Sequence, residues 1–441
     1  MKLLLIPILT AIMVTSSLAA EPDWKVLDQH AVDFLQRYVR IETINPPADT
    51  RASSALIKNE LEAAGFTVKL YSSGPKGQTN LITRLPGRDR SKKPLLLLNH
   101  QDVVPVDRTA WSVDPFSAVI KDGWIWGRGT LDMKGIGTMQ ISALIALKNS
   151  GFVPARDIVM LSSSDEETNG VYGIRWMLAN HFDEIDAEYV IDEGGTASRD
   201  LLSKGKLIFG IAVGEKQVLW LKLRAKGTAA HGSQPIPDNA NMILLEAIHK
   251  AMAIQPTTKP NPVLDQMQQN IGTMAQNKFT SAIRGNTMSL TTLRAGVGDP
   301  PKANVIPSTS EATLDCRLLP GVNAEEFLSD IKARINDSRV TVERLSSSAD
   351  PGMSKSDTPL FAAISAAARK YNPEAIVTPM LIPYGTDSVN ARSRGMIAYG
   401  LNPMVLDAAT MATMHSDEER IPIGEFLKGI RIFYDVLRSD F

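Results

Sequence analysis

The chain of 441 residues is too long for one ordinary domain, and its 44% hydrophobic and 22% charged residues are ordinary for a globular protein. A net charge of −1 gives no electrostatic case for nucleic acid or an anionic membrane as partner. The single cysteine, Cys316, excludes an intrachain disulfide, so stability must come from the core and from any bound metal.

In chain order, Lys2 precedes an apolar run over residues 3–14, and small residues follow in Thr15-Ser16-Ser17-Leu18-Ala19-Ala20. This pattern predicts a secretory signal cut after Ala19 or Ala20, and hence a periplasmic or secreted protein. The run is short for a bilayer span, which weighs against the alternative of an uncleaved anchor. Trp24–Val39 carries apolar residues at helical spacing, and residues 45–47 (Asn-Pro-Pro) form a loop. A second helix is expected over 52–64, ended by Gly65, with strands over 67–71 and 80–85. Residues 94–98 are continuously apolar, as in a strand buried on both faces, and lead to His100. A helix is expected over 138–149. A second buried strand, 157–162, leads to Asp165, Glu166 and Glu167. After a helix over 173–180, a third strand, 189–191, leads to Asp192 and Glu193. Open α/β sheets bind ligands at the carboxyl ends of their strands, so these clusters should meet in space.

The pattern changes near Gly214. Residues 217–225 alternate like a half-exposed strand. A helix (239–253), two strands (287–294 and 311–317), a helix (324–335) and a strand (339–345) follow. This is the βαββαβ order of a small two-layer α+β domain. A helix (360–371), a Gly-rich segment (383–395), a strand (396–401), His415 and a helix (424–437) complete the chain. The expected division is a signal at 1–20, a catalytic α/β domain in two parts (21–213 and 348–441), and an inserted lid at 214–347.

The chemistry centres on Gly127-Arg128-Gly129-Thr130-Leu131-Asp132-Met133-Lys134-Gly135. Glycines permit a tight turn in which Asp132 could offer one oxygen to each of two metal ions, although an aspartate before a helix is also a common N-cap. His100 is a suitable zinc ligand, and Asp102 could orient it. Adjacent Glu166 and Glu167 suit metal hydrolysis, which needs one carboxylate as ligand and another as general base. Asp192 or Glu193 offers a further acidic ligand, and which of them points inward stays open. His415 could add a second imidazole. His231 could reach a developing oxyanion if the lid closes. Taken alone, each of these also fits an ordinary polar turn.

Together the segments resemble the dizinc aminoacylase and carboxypeptidase family. They stand in the family's order: His100-x-Asp102-Val-Val-Pro, the Asp132 turn, Asp165-Glu166-Glu167, Asp192-Glu193-Gly194, His231-Gly-Ser, Asn304-Val-Ile-Pro307 and His415. The resemblance implies a zinc-exopeptidase-like α/β domain with a mixed central sheet flanked by helices. A ferredoxin-like lid, used for dimerisation in many relatives, interrupts it. It further implies two zinc ions, with cobalt or manganese as substitutes. Asp132 would bridge them, and His100, Glu167, Asp192 and His415 would complete the shells, with Glu193 standing in if Asp192 is not the ligand. Asp102 would orient His100, Glu166 would be the general base, and His231 would hold the oxyanion, in many relatives across a homodimer. Asn304 and Gly385 would face the substrate, a dipeptide or N-acyl amino acid. Where some relatives have an arginine for the substrate carboxylate, this chain has Val389, which leaves Arg392, Arg394 or Arg317 to replace it. Two competing readings are a non-catalytic metal-dependent binding protein in the same cleft, and a serine hydrolase, for which there is no Gly-x-Ser-x-Gly elbow.

Overall fold

The computed structural model describes residues 20–253, 261–350 and 352–441, so the expected signal segment lies almost wholly outside the described residues. Among the described residues no helix is long and apolar enough to cross a membrane. The centre is a mixed sheet. Its strands run in the order Val68–Ser72, Thr79–Leu85, Ile158–Ser163, Leu95–His100, Tyr189–Asp192, Ile397–Gly400, Leu207–Glu215, Ile376–Ile382, and Thr196–Arg199 pairs beside Leu207–Glu215. The four strands from Ile158–Ser163 to Ile397–Gly400 pair in parallel, so their carboxyl ends share one edge. Leu95, Leu96, Leu97 and Leu98 are wholly buried, as a continuous apolar run requires when both faces are covered.

Helix Lys134–Asn149 packs between strand Leu95–His100 and the terminal helix Ile423–Arg438. It begins at Lys134, ahead of the expected start at 138. Gly135 and Gly137 weaken helix propensity, but close packing favours them here. A Cβ on Gly135 would lie 2.1 Å from the carbonyl oxygen of Thr130. Strands Leu207–Glu215 and Ile376–Ile382 were not foreseen. Gly210 and Gly214 interrupt the first, and Pro379 sits in the second, which it can do because that strand is at the sheet edge. Helices Pro262–Ile271 and Lys278–Arg284 were also unforeseen, although Asn261 before Pro262 is a recognisable helix start.

A second sheet runs through residues 217–347 in the order Thr287–Arg294, Thr309–Leu318, Gln217–Lys226, Val340–Ser347, antiparallel throughout. This is the βαββαβ arrangement expected from the element order. Helices Ala240–Met252 and Ala324–Ile335 cover one face, where Leu219, Leu221, Leu223, Leu314 and Cys316 are buried. The edge strand Thr287–Arg294 leaves Leu290 and Leu293 exposed.

Candidate metal centre

The shared edge of the parallel strands gathers the acids and histidines. His100 ends one strand, and Glu166 and Glu167 occupy a single turn just after another. Asp132 arrives from the glycine-rich turn. There Gly129 has φ +88°, and a Cβ on it would lie 2.8 Å from a Val103 methyl. His415 arrives from the loop after the short helix Ala408–Met411, in a left-handed conformation (φ +61°) that few non-glycine residues adopt.

The two carboxylate oxygens of Asp132 face different imidazoles. Oδ1 is 3.0 Å from His100 Nε2, and Oδ2 is 3.1 Å from His415 Nε2. Glu193 Oε1 stands 3.6 Å from His100 Nε2, and Glu167 Oε2 stands 3.5 Å from His415 Nε2. Ligand atoms of His100, Glu166 and Glu193 lie within 4.8 Å of one another, as do those of His100, Asp132 and Glu167. Helix Lys134–Asn149 has Met133 at its N-cap and no side-chain cap, so Asp132 faces the imidazoles and does not cap the helix.

Two buried acids support the cluster from behind. Asp102 was expected to orient His100. His100 Nδ1 is instead closer to the backbone oxygen of Asp102 (3.0 Å) than to its carboxylate (3.5 Å). That carboxylate accepts hydrogen bonds from the backbone N–H of Glu166 (3.2 Å) and Glu167 (3.1 Å) and from Asn45 Nδ2 (2.7 Å). The second acid, Glu419, accepts from the N–H groups of Gly129, Leu131 and Asp132 and pairs with Arg128.

The protonation pattern is that of crowded carboxylates. Burial and the nearby Glu193 charge raise Glu166 well above the usual range, and burial with the Asp132 charge does the same to Glu193. Burial pushes Glu167 up to about 7. Burial disfavours charge on Asp132, yet bonds from His100 and His415 outweigh it and hold the carboxyl far below its ordinary value. Bonds to Asp132 and Glu167 raise His415 to about 10. Glu167 Oε1 is buried without a hydrogen-bond partner, and among the described residues no lysine or arginine pairs with Asp132, Glu166, Glu167 or Glu193. Carboxylate oxygens and imidazole nitrogens with an orphaned buried acceptor fit a borderline divalent cation such as zinc.

Other expected residues lie elsewhere. Asp192 is buried, but its Oδ2 accepts from Ser388 Oγ at 2.8 Å. Asp192 is the last residue of strand Tyr189–Asp192 and is held by Ser388, while Glu193, just past the strand end, is the acid that stands near His100. Arg392 is buried in a 2.9 Å ion pair with Glu215, and Arg317 is held by Asp315 at 2.8 and 3.1 Å. Gly385 is half-buried in the loop leading to Thr386. His231 and Asn304 meet on the lid, with His231 Nε2 3.5 Å from Asn304 Nδ2 and His231 Nδ1 2.7 Å from Ser233 Oγ. Among the described residues no hydrogen bond or ion pair joins that pair to the cluster. The sequence reading did not single out Asn45, Asp387 or Glu419. Asp387 accepts from Ser163 Oγ at 3.0 Å, and burial with the Asp192 charge raises it well above the usual range. Glu419 follows two other acids and carries no local mark that separates it from them.

Comparison with known proteins gives the arrangement a family. Rat (Rattus norvegicus) aminoacylase-1B is 28% identical over 410 residues, covering 91% of this chain and 93% of the relative. A probable carboxypeptidase S-like protein of Dictyostelium discoideum is 31% identical over 379 residues, covering 82% of this chain and 76% of the relative. Among solved structures, an M20 family metallo-carboxypeptidase from Sulfolobus solfataricus superposes with a TM-score of 0.73 at 18% identity, covering 92% of this chain and 98% of its own. Human carnosine dipeptidase 1 gives 0.71 at 17% identity, covering 94% and 97%. The family model described as "Peptidase family M20/M25/M40" matches residues 96–439. The match runs from the strand that delivers His100 to the end of the terminal helix, so the chain belongs to peptidase family M20/M25/M40 and is a metal-dependent hydrolase.

Proposed function

We propose that the protein hydrolyses the amide bond of a dipeptide or an N-acyl amino acid at a centre of two divalent ions, zinc by preference. His100, Asp132, Glu167, Glu193 and His415 would hold them, with Asp132 shared. The observation that carries this reading is that the two oxygens of Asp132 face His100 at 3.0 Å and His415 at 3.1 Å. Glu193 takes the place first expected of Asp192, which is engaged by Ser388. When bound, the ions supply Lewis acidity, which acidifies water and polarises the scissile carbonyl.

Glu166 is the general base. It stands beside His100 and Glu193, has no ion-pair partner among the described residues, and hangs from a backbone amide held by Asp102. It takes a proton from the attacking water as the C–O bond forms, then delivers a proton to the leaving nitrogen as the C–N bond breaks. His231 and Asn304, paired on the lid, would reach the oxyanion in a closed or dimeric form. The exposed edge strand Thr287–Arg294 is the surface through which we propose that the inserted segment 214–347 pairs with a second copy. The substrate carboxylate is not assigned to Arg392, because Glu215 neutralises that guanidinium. Export behind a cleaved signal belongs to the same reading, and amino-terminal sequencing of mature protein tests it.

The substrate test is a panel of dipeptides and N-acyl amino acids, with and without a free carboxylate, assayed on wild type and Glu166→Gln. We expect turnover by wild type on at least one class and loss of roughly 100- to 10,000-fold in kcat in the variant, with metal retained. Unchanged turnover by Glu166→Gln refutes the base assignment. No turnover of any member by metal-loaded wild type refutes the activity.

A further inference from the structure

Glu419 is wholly buried, and both its backbone and its side chain bind the segment that bears Asp132. Strand Arg420–Pro422 pairs antiparallel with Trp124–Trp126, with Arg420 opposite Trp126. The pairing continues into the glycine-rich turn, where Gly127 N–H donates to the Glu419 carbonyl oxygen at 3.0 Å. The Glu419 side chain then takes over. Its Oε1 accepts from Gly129 N (3.0 Å), Leu131 N (2.8 Å) and Asp132 N (3.1 Å), and its Oε2 pairs with Arg128 at 2.5 Å. Arg128, 2% exposed, lies over the Trp111 ring at 5.3 Å. One carboxylate therefore gathers three backbone amides of a turn that has no helical ladder of its own, and it sits four positions after His415.

We infer that Glu419 is a positioning residue for the metal centre, setting the turn that offers Asp132 in register with the segment that offers His415. The inference rests on the reading that those two residues hold metal. Three amides satisfied by one acceptor aim the Asp132 side chain, and the backbone link carries the constraint towards His415. A fully buried carboxylate is costly unless paired and bonded, and Arg128 with the three backbone amides offsets part of that cost. Supporting residues of this kind change metal affinity without touching the ion.

The test compares wild type with Glu419→Gln, with Arg128→Gln/Glu419→Gln, which removes both buried charges together, and with Glu419→Asp. Glu419→Asp keeps the charge, shortens the reach and covers the case in which the neutral variants do not fold. Circular dichroism and apo-protein melting establish folding. Zinc affinity is read by chelator competition, and ligand geometry by the visible spectrum of the cobalt(II) form. We expect zinc affinity about 10- to 100-fold weaker in the folded variants, an altered cobalt spectrum, and a fall in kcat larger than any change in KM. A folded variant with wild-type zinc affinity and an unaltered cobalt spectrum overturns the inference. Wild type that binds no zinc is a failure of the metal centre itself, so the two failures are distinguishable.

Discussion

Asp102→Asn is a perturbation whose size can be worked out from the hydrogen bonds it breaks. The Asp102 carboxylate is fully buried and accepts three donors: Oδ2 takes Asn45 Nδ2 and Glu167 N, and Oδ1 takes Glu166 N. Asparagine has the same shape but only one acceptor oxygen. With that oxygen in the Oδ2 position, its amide group points at the N–H of Glu166 and leaves that donor buried and unpaired. Turned the other way, it orphans the N–H of Glu167 and breaks the bond from Asn45, whose Nδ2 keeps only Asp165 Oδ1 at 3.1 Å. The smaller loss is one buried unsatisfied N–H, about 1–3 kcal/mol. Placed wholly on the turn that presents Glu166 and Glu167, this is roughly a 5- to 150-fold fall in kcat. The assay is kcat and KM on an N-acyl amino acid with zinc in excess, beside metal content by atomic spectroscopy. His100 keeps its 3.0 Å contact with the Asp102 backbone oxygen in the variant, so its own placement should survive. A variant with kcat within twofold of wild type refutes the reasoning, as does one that loses zinc affinity alone. The latter would mean that the carboxylate acts through the histidine.

Two further outcomes follow from the same geometry. Glu193→Gln is expected to weaken zinc binding by more than tenfold, whereas Asp192→Asn, which keeps a polar group for Ser388, should alter it by less than threefold. The reverse order in a metal-competition titration would restore Asp192 as the ligand. Zinc binding is also expected to release protons at pH 7. His415, raised to about 10, is charged in the metal-free protein, Glu167 at about 7 is half protonated, and both must be deprotonated to bind metal. Because protons leave on binding, zinc affinity should rise with pH from about 6 towards 10. Calorimetry in buffers of different ionisation enthalpy measures this, and a buffer-independent heat contradicts it.

What the sequence made visible, and what it hid, divides along physical lines. Short, wholly apolar segments such as Leu95–Leu98, ending in histidine or acids, mark parallel strands covered on both faces. Their ends must then converge, which brings His100, Glu166, Glu167 and Glu193 together. The choice between Asp192 and Glu193 was not legible, because the sequence does not mark where strand Tyr189–Asp192 ends and so which way the acids at its end leave the chain. Arg392 looked available to a substrate because its partner, Glu215, lies far away in sequence on a strand that Gly210 and Gly214 disguise. Glu419 was hidden for a related reason. Three of its partners are backbone amides, which carry no side-chain signature, and the fourth, Arg128, lies far away in sequence, so its role is visible only once the turn is folded against it.

Zinc titration of chelator-stripped protein tests the central claim most directly, with bound metal and hydrolysis of an N-acyl amino acid or dipeptide followed in the same samples. The account predicts that activity is absent without metal, returns as zinc binds, and saturates at two ions per chain, while Asp132→Ala loses both ions together. Full activity in the metal-free protein, or Asp132→Ala that retains both ions at full occupancy, would contradict it.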